Sequence, residues 1–223
     1  MRLLLINPNT SVHITERLAA SARAAMAPED TLTPVTATEG PAAVRDAEQL
    51  GQAETNALAL ARGHAAGHDA IVLGISLDGA APRLRQMDRD RPVVGMTEAA
   101  LLTACLCTER IGLLTLGAAL LPLYRQRVDQ IGLAARVVAY EAAESAPAFA
   151  DGSASVDPAV LAVLADACDR LRRSGAQSVL LAGAVLCGYA LALTRRCGLP
   201  AFDGVECAVG QVRILLGRGQ PAR

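Results

Sequence analysis

An α/β fold of two pseudo-symmetric lobes, each a parallel sheet flanked by helices with a ligand cleft between them, follows from three observations. The first is an internal echo. Arg2-Leu-Leu-Leu-Ile recurs as Arg110-Ile-Gly-Leu-Leu, Asp69-Ala-Ile-Val-Leu-Gly74 as Ser178-Val-Leu-Leu-Ala-Gly183, and Pro92-Val-Val-Gly95 as Pro200-Ala-Phe-Asp-Gly204, all at an offset of roughly 108 residues. The second is the alternation of short β-branched or leucine-rich runs with alanine-rich stretches, the pattern of a parallel sheet covered on both faces. The third is that the third apolar run of each lobe ends on a glycine, Gly74 and Gly183. Paired strand ends are where such a Rossmann-like pair of lobes holds a small ligand.

Strands are expected near 2–7, 32–38, 69–75, 92–96, 110–115, 135–140, 178–185 and 199–202, with helices filling most of the gaps. Asn7-Pro8-Asn9 stops the first apolar run. Thr10-Ser11 and Thr97 stand where strand gives way to helix, and hydroxyls there are suited to capping exposed backbone N–H groups. The stretch from Ala142 to Val156 mixes Glu, Ser, Pro, Gly and Ala and reads as a loop. Asp157-Pro158 then opens a helix, with an N-cap followed by proline at its first position. The last helix, from about Glu206 to Leu216, has no strand after it and is expected to pack back across the lobes. The division that results is residues 1–98 plus 206–223 for the N-terminal lobe and 99–205 for the C-terminal lobe.

Composition narrows the partners. A hydrophobic content of 52% in 223 residues supplies either one large core or two smaller ones, and the echo favours two. The formal net charge of -1 with scattered arginines gives no basic stripe, so nucleic acid and anionic membrane are not expected partners. The opening apolar run is too short for a signal peptide or a membrane span, so a cytoplasmic location is expected. Six cysteines without CxxC pairs read as reduced core residues, and Cys105-Leu-Cys107 lacks the partners of a zinc site. All 21 basic Lys/Arg positions are arginine. Without a lysine amine, Schiff-base catalysis, covalently held pyridoxal phosphate and a Walker A loop are excluded.

The polar residues at the strand ends are the candidate site. Asn7-Pro8-Asn9-Thr10-Ser11 offers amides and hydroxyls without fixed charge, which suits a polar or anionic small molecule or equally a plain turn. Gly74-Ile-Ser76-Leu-Asp78-Gly79 and its echo Gly183-Ala-Val-Leu-Cys187-Gly188 place small backbone at each third strand end. Ser76 is placed to donate to a substrate carboxylate or carbonyl. Asp78 and Cys187 occupy equivalent places in the echo and read as an acid and a thiol facing each other across the cleft, or as a helix cap and a core filler. Asp203 adds a carboxylate after the last strand, beside Glu206 at a helix start. His13, His64 and His68 stand apart from these strand ends and are assigned to solvent.

Ile6-Asn-Pro-Asn-Thr-Ser11, Asp69-Ala-Ile-Val-Leu-Gly74, Pro92-Val-Val-Gly-Met-Thr-Glu-Ala99 and Leu199-Pro-Ala-Phe-Asp-Gly-Val205 together resemble the aspartate/glutamate/hydantoin racemase superfamily, and within it the hydantoin and allantoin racemase branch. The resemblance runs nearly the whole chain. It implies cofactor-free chemistry in which one cysteine at each third strand end works on opposite faces of a carbon acid, one thiolate removing the α-proton and the opposite thiol delivering another. This chain departs from that pattern. The first cysteine's place falls on Gly74 or Ile75 and the second on Gly183. The arylmalonate decarboxylase branch also carries glycine at the first position, followed closely by a serine like Ser76, but keeps the second cysteine.

Three readings follow. One is a racemase or isomerase using Cys187 and Asp78 as catalytic residues, with Asn7, Asn9, Ser76, Gly74, Gly183 and Asp203 binding a hydantoin, allantoin or amino-acid derivative. Another is a decarboxylase or lyase of the arylmalonate decarboxylase type. The last is a non-catalytic small-molecule-binding protein that kept the cleft. In each the partner is a small polar or anionic molecule, and a homo-oligomer is the default assembly.

Overall fold

In a computed structural model the chain is described over residues 1–144 and 155–217. The elements run β1 (Arg2–Asn7), α1 (Val12–Ala25), β2 (Thr31–Thr36), α2 (Ala47–His64), β3 (Ala70–Leu73), α3 (Ala81–Met87), β4 (Val93–Gly95) and α4 (Met96–Cys107). The order repeats as β5 (Ile111–Leu116), α5 (Leu121–Ile131), β6 (Val137–Ala143), α6 (Pro158–Arg173), β7 (Ser178–Ala182), α7 (Ala190–Cys197), β8 (Ala201–Asp203) and α8 (Gly204–Gly217). Two four-stranded parallel sheets result, ordered β2-β1-β3-β4 and β6-β5-β7-β8. The α/β architecture inferred from the echo is therefore the one observed.

Alternation explains why each sheet is covered on both faces. Successive strand side chains point to opposite sides. Leu3 and Leu5 meet Ile14 and Leu18 of α1 together with Val205, Val209 and Val212 of α8. Leu4 and Ile6 turn the other way, onto Leu58 of α2 and Leu84 of α3. In the second sheet Leu114, Val179 and Leu181 pack against α6 and α7, while Leu113 and Leu180 pack against Leu101 of α4 and Val128 of α5. The helix that follows each sheet's last strand thus lies on the other sheet, α4 on the second and α8 on the first, and α4 and α8 pack on each other.

The strand ends differ from expectation in ways that shape the site. The third strands stop at Leu73 and Ala182, short of the expected 75 and 185, with Gly74 and Gly183 directly after them. Strand β6 continues to Ala143, into the segment expected to be a loop, and residues 145–154 of that segment lie outside the described residues. Asp157 caps α6 as expected, accepting from the backbone N–H groups of Ala159 and Val160. Ser11 and Thr97 do not cap. The Ser11 hydroxyl donates to the Ala42 carbonyl, and the Thr97 hydroxyl donates to the Ser76 carbonyl and fastens α4 to the turn after β3.

Candidate active site

A cavity of about 610 Å³ opens where the C-terminal ends of the two sheets face each other. The register of the central strands puts it there. Ile6 pairs with Leu73 in one sheet and Thr115 with Ala182 in the other, so each central strand ends beside the glycine that follows its neighbour. Asn9, Gly74 and Ser76 reach the wall from the first lobe, and Thr115, Tyr124 and Gly183 from the second. Asn9, Gly74, Ser76 and Gly183 are thus brought together by the fold.

The other expected residues are not on the wall. Asn7 is fully buried behind it, its amide nitrogen 3.0 Å from the Asn9 side-chain oxygen and 2.9 Å from the Thr15 hydroxyl, so it sets the shape of the loop that carries Asn9. Asp78 is fully buried, with a positive φ of 51° that an Asp tolerates better than most residues. One of its oxygens accepts from the Glu98 N–H at 2.7 Å and caps α4, and the other has no hydrogen-bond partner among the described residues. Burial pushes its carboxyl up to about 7 against the pull of that N–H and of Arg127. Asp203 is likewise buried and caps α8.

Cys187 is the sharpest correction. It packs in the core with Ile14, Leu18 and Val205 and does not line the cavity. Burial raises its thiol well above the usual range, Asp203 beside it raises it further, and Arg17 only partly opposes them. A thiol in such surroundings does not supply the thiolate that proton abstraction needs. Asp78 and Cys187, read as an acid and a thiol facing across the cleft, are instead buried in separate neighbourhoods, one beside Glu98 and Arg127 and one beside Asp203 and Arg17.

The two glycines are not equivalent. A Cβ built on Gly74 would stand 2.6 Å from the Leu18 side chain and 3.1 Å from the Ile6 carbonyl oxygen, so that position faces packed core on its side-chain side. A Cβ on Gly183 would meet nothing closer than Leu186 at 3.5 Å. Neither third strand end carries a thiol, since Ile75 and Ala184 follow the glycines on the wall.

Among the polar wall residues, sequence reasoning missed Thr115, Tyr124, His13 and Arg45. Thr115 was recoverable, because the echo places it at the same strand end as Asn7. Tyr124, one of only three tyrosines, sits in α5 and is buried with its hydroxyl at the cavity floor. His13, assigned to solvent, is half-buried in the first turn of α1 and lines the cavity, and exposed Arg45 lines it from the loop before α2. No local pattern marked either one, since both reach the cavity through the path of the chain after β1 and β2. His68 is also engaged, its ring nitrogens 2.8 Å from the His64 carbonyl oxygen and the Thr33 hydroxyl. Among the described residues no three His, Cys, Asp or Glu side chains gather as a metal site, and no helix is long and apolar enough to cross a membrane.

A model of the Asp/Glu/hydantoin racemase family matches residues 3–212. The chain belongs to that family. A hydantoin racemase from Paenarthrobacter aurescens is 26% identical over 97% of this chain and 92% of its own length. An allantoin racemase from Klebsiella pneumoniae superposes with a TM-score of 0.90 at 27% identity, covering 100% of this chain and 90% of that one. Arylmalonate decarboxylase superposes less closely, with a TM-score of 0.66 at 18% identity over 100% of this chain and 96% of that one, and at that distance shares the fold alone. As a racemase-family member the chain is one whose kind acts on small molecules.

Proposed function

We propose that this racemase-family chain is a cofactor-independent isomerase that takes a small carbon acid, a hydantoin, allantoin or amino-acid derivative, and exchanges its α-proton. The cavity wall carries the reading. Asn9 and Thr115 offer neutral hydrogen-bonding groups, Arg45 brings positive charge, and no carboxylate stands among the described lining residues. Such a wall favours the negative charge that develops on an enolate. Full-length likeness to proteins named hydantoin racemase and allantoin racemase supports the same substrate class.

In this reading His13 replaces the thiols. Histidine is the one side-chain type on the wall that exchanges protons near neutral pH. Burial pushes the Tyr124 phenol up to about 12, and glycine carries nothing to titrate. The imidazole would take the α-proton, the wall would hold the enolate, and the proton would return from the imidazolium or from water. Six free cysteines suit a reducing cytoplasm, and a homo-oligomer completes the proposal. That the described wall carries a single proton-exchanging side chain of this kind favours, as a second reading, a decarboxylase or lyase, which needs only one proton delivered, or a binding protein, which needs none.

The test is incubation in D2O with hydantoins, allantoin, aspartate, glutamate and arylmalonates, followed by NMR against protein-free controls. Loss of the α-proton signal that falls at least tenfold in His13→Gln supports the isomerase. Decarboxylation without exchange turns the assignment to the lyase, and saturable binding without either turns it to a binding protein.

A further inference from the structure

At the cavity floor the hydroxyls of Ser76 and Tyr124 are hydrogen-bonded to each other across 48 residues of sequence. A third atom decides which of them donates. The Tyr124 oxygen also lies 3.0 Å from the Ala182 carbonyl oxygen. A carbonyl can only accept and a phenol has a single hydrogen, so that hydrogen goes to Ala182. Ser76 must then donate to Tyr124. Its hydrogen is turned into the floor, and what remains for the cavity is the lone pairs of the serine oxygen. Thr115 stands beside the same phenol, so a second hydroxyl competes for that acceptor. This is the reverse of the sequence expectation, in which Ser76 donates to a substrate carboxylate.

We propose that Tyr124 is a specificity-determining residue: by accepting the Ser76 proton it makes the serine a hydrogen-bond acceptor, so this part of the cavity takes a ligand N–H and disfavours a carboxylate oxygen. The inference rests on the carbon-acid reading of the cleft given above. A carboxylate oxygen set against the serine lone pairs gains no hydrogen bond and meets like partial charge, whereas the N–H of a cyclic imide or urea is satisfied there. Tyr124 acts through Ser76 and is a positioning residue.

The experiment measures binding of hydantoin, 1,3-dimethylhydantoin and malonate by calorimetry to wild type, Tyr124→Phe and Ser76→Ala. Wild type is expected to prefer hydantoin to its dimethylated form by at least about tenfold, roughly one hydrogen bond's worth. In Tyr124→Phe the Ser76 proton is freed to turn towards the ligand, and the hydantoin-to-malonate affinity ratio falls about tenfold. In Ser76→Ala hydantoin weakens while malonate does not. A purely structural role would weaken all three ligands together and leave the ratios in place. Unchanged ratios in both variants overturn the inference and leave the carbon-acid reading standing, whereas binding of none of the three ligands to wild type overturns both.

Discussion

The Ser21 hydroxyl donates a 2.9 Å hydrogen bond to Asp203 across 182 residues of sequence, joining α1 of the first lobe to the end of β8 in the second. The same carboxylate oxygen accepts from the Gly188 N–H at 2.6 Å, and the other oxygen accepts from the N–H groups of Val205 at 2.8 Å and Glu206 at 3.3 Å. Asp203 thus spends its lone pairs within the protein. It sets the turn after β7, starts α8 and holds α1 against both.

Replacing that carboxylate by an amide should therefore be a stability lesion. Asn cannot accept on both sides, so Asp203→Asn leaves at least one buried donor unmatched. The expected loss is about 1–3 kcal/mol. Urea unfolding followed by circular dichroism measures it, and an unchanged midpoint would show that the network contributes little.

Glu206, at the start of α8, is pushed by burial, with help from Asp203, up to about 7. Its folded pKa lies above the unfolded one, so the folded state holds the extra proton. The contribution to stability is present in full below the ordinary glutamate value of 4.5 and is lost as pH rises through about 7. Asp78, also raised to about 7, acts in the same direction. Melting temperature should fall between pH 5 and pH 8 through these groups, as an order-of-magnitude window. Glu206→Gln should flatten its share of that fall, and a variant as pH-sensitive as wild type would remove Glu206 from the account.

The glycines at the third strand ends should respond differently to a methyl group. Gly74→Ala forces the new carbon onto Leu18 and the Ile6 carbonyl, at an expected cost of about 1–3 kcal/mol, whereas Gly183→Ala meets only ordinary contact and costs little. Comparing the two unfolding midpoints checks this. Gly183→Cys, whose Cβ meets the same ordinary contact, places a thiol at that strand end and should raise α-proton exchange in D2O over wild type.

Cys187 should behave as core. Cys187→Ala is expected to leave any α-proton exchange at the wild-type rate and to cost about 1 kcal/mol of stability for the lost buried atom. Iodoacetamide should label exposed Cys107 in the native protein and reach Cys187 only after denaturation, as mass spectrometry would show. Loss of exchange in a folded Cys187→Ala would return the residue to the chemistry.

Legibility in the sequence followed the range of the interactions. The strands were readable because Leu3-Leu-Leu-Ile6 and its echoes are buried on both faces and must be apolar throughout. The Asp157 cap was readable because its partners are Ala159 and Val160, close by in the chain. Ser76 and Gly183 were legible as strand-end residues. Asp203 and Cys187 carried the same local signature, a polar residue after a strand, and turned inward because their partners Ser21 and Arg17 come from α1. His13, Arg45 and Tyr124 reach the cavity from a helix start, a loop and a helix of the other lobe, which no periodicity records.

What the sequence determined by itself is the double parallel-sheet architecture, its approximate repeat and the absence of lysine chemistry, since these depend on residue type and spacing alone. Tertiary structure alone decided which polar groups face the cleft and in what protonic order. The Tyr124 hydroxyl has a single hydrogen, and its placement by the Ala182 carbonyl, 58 residues away, decides what Ser76 presents to a ligand.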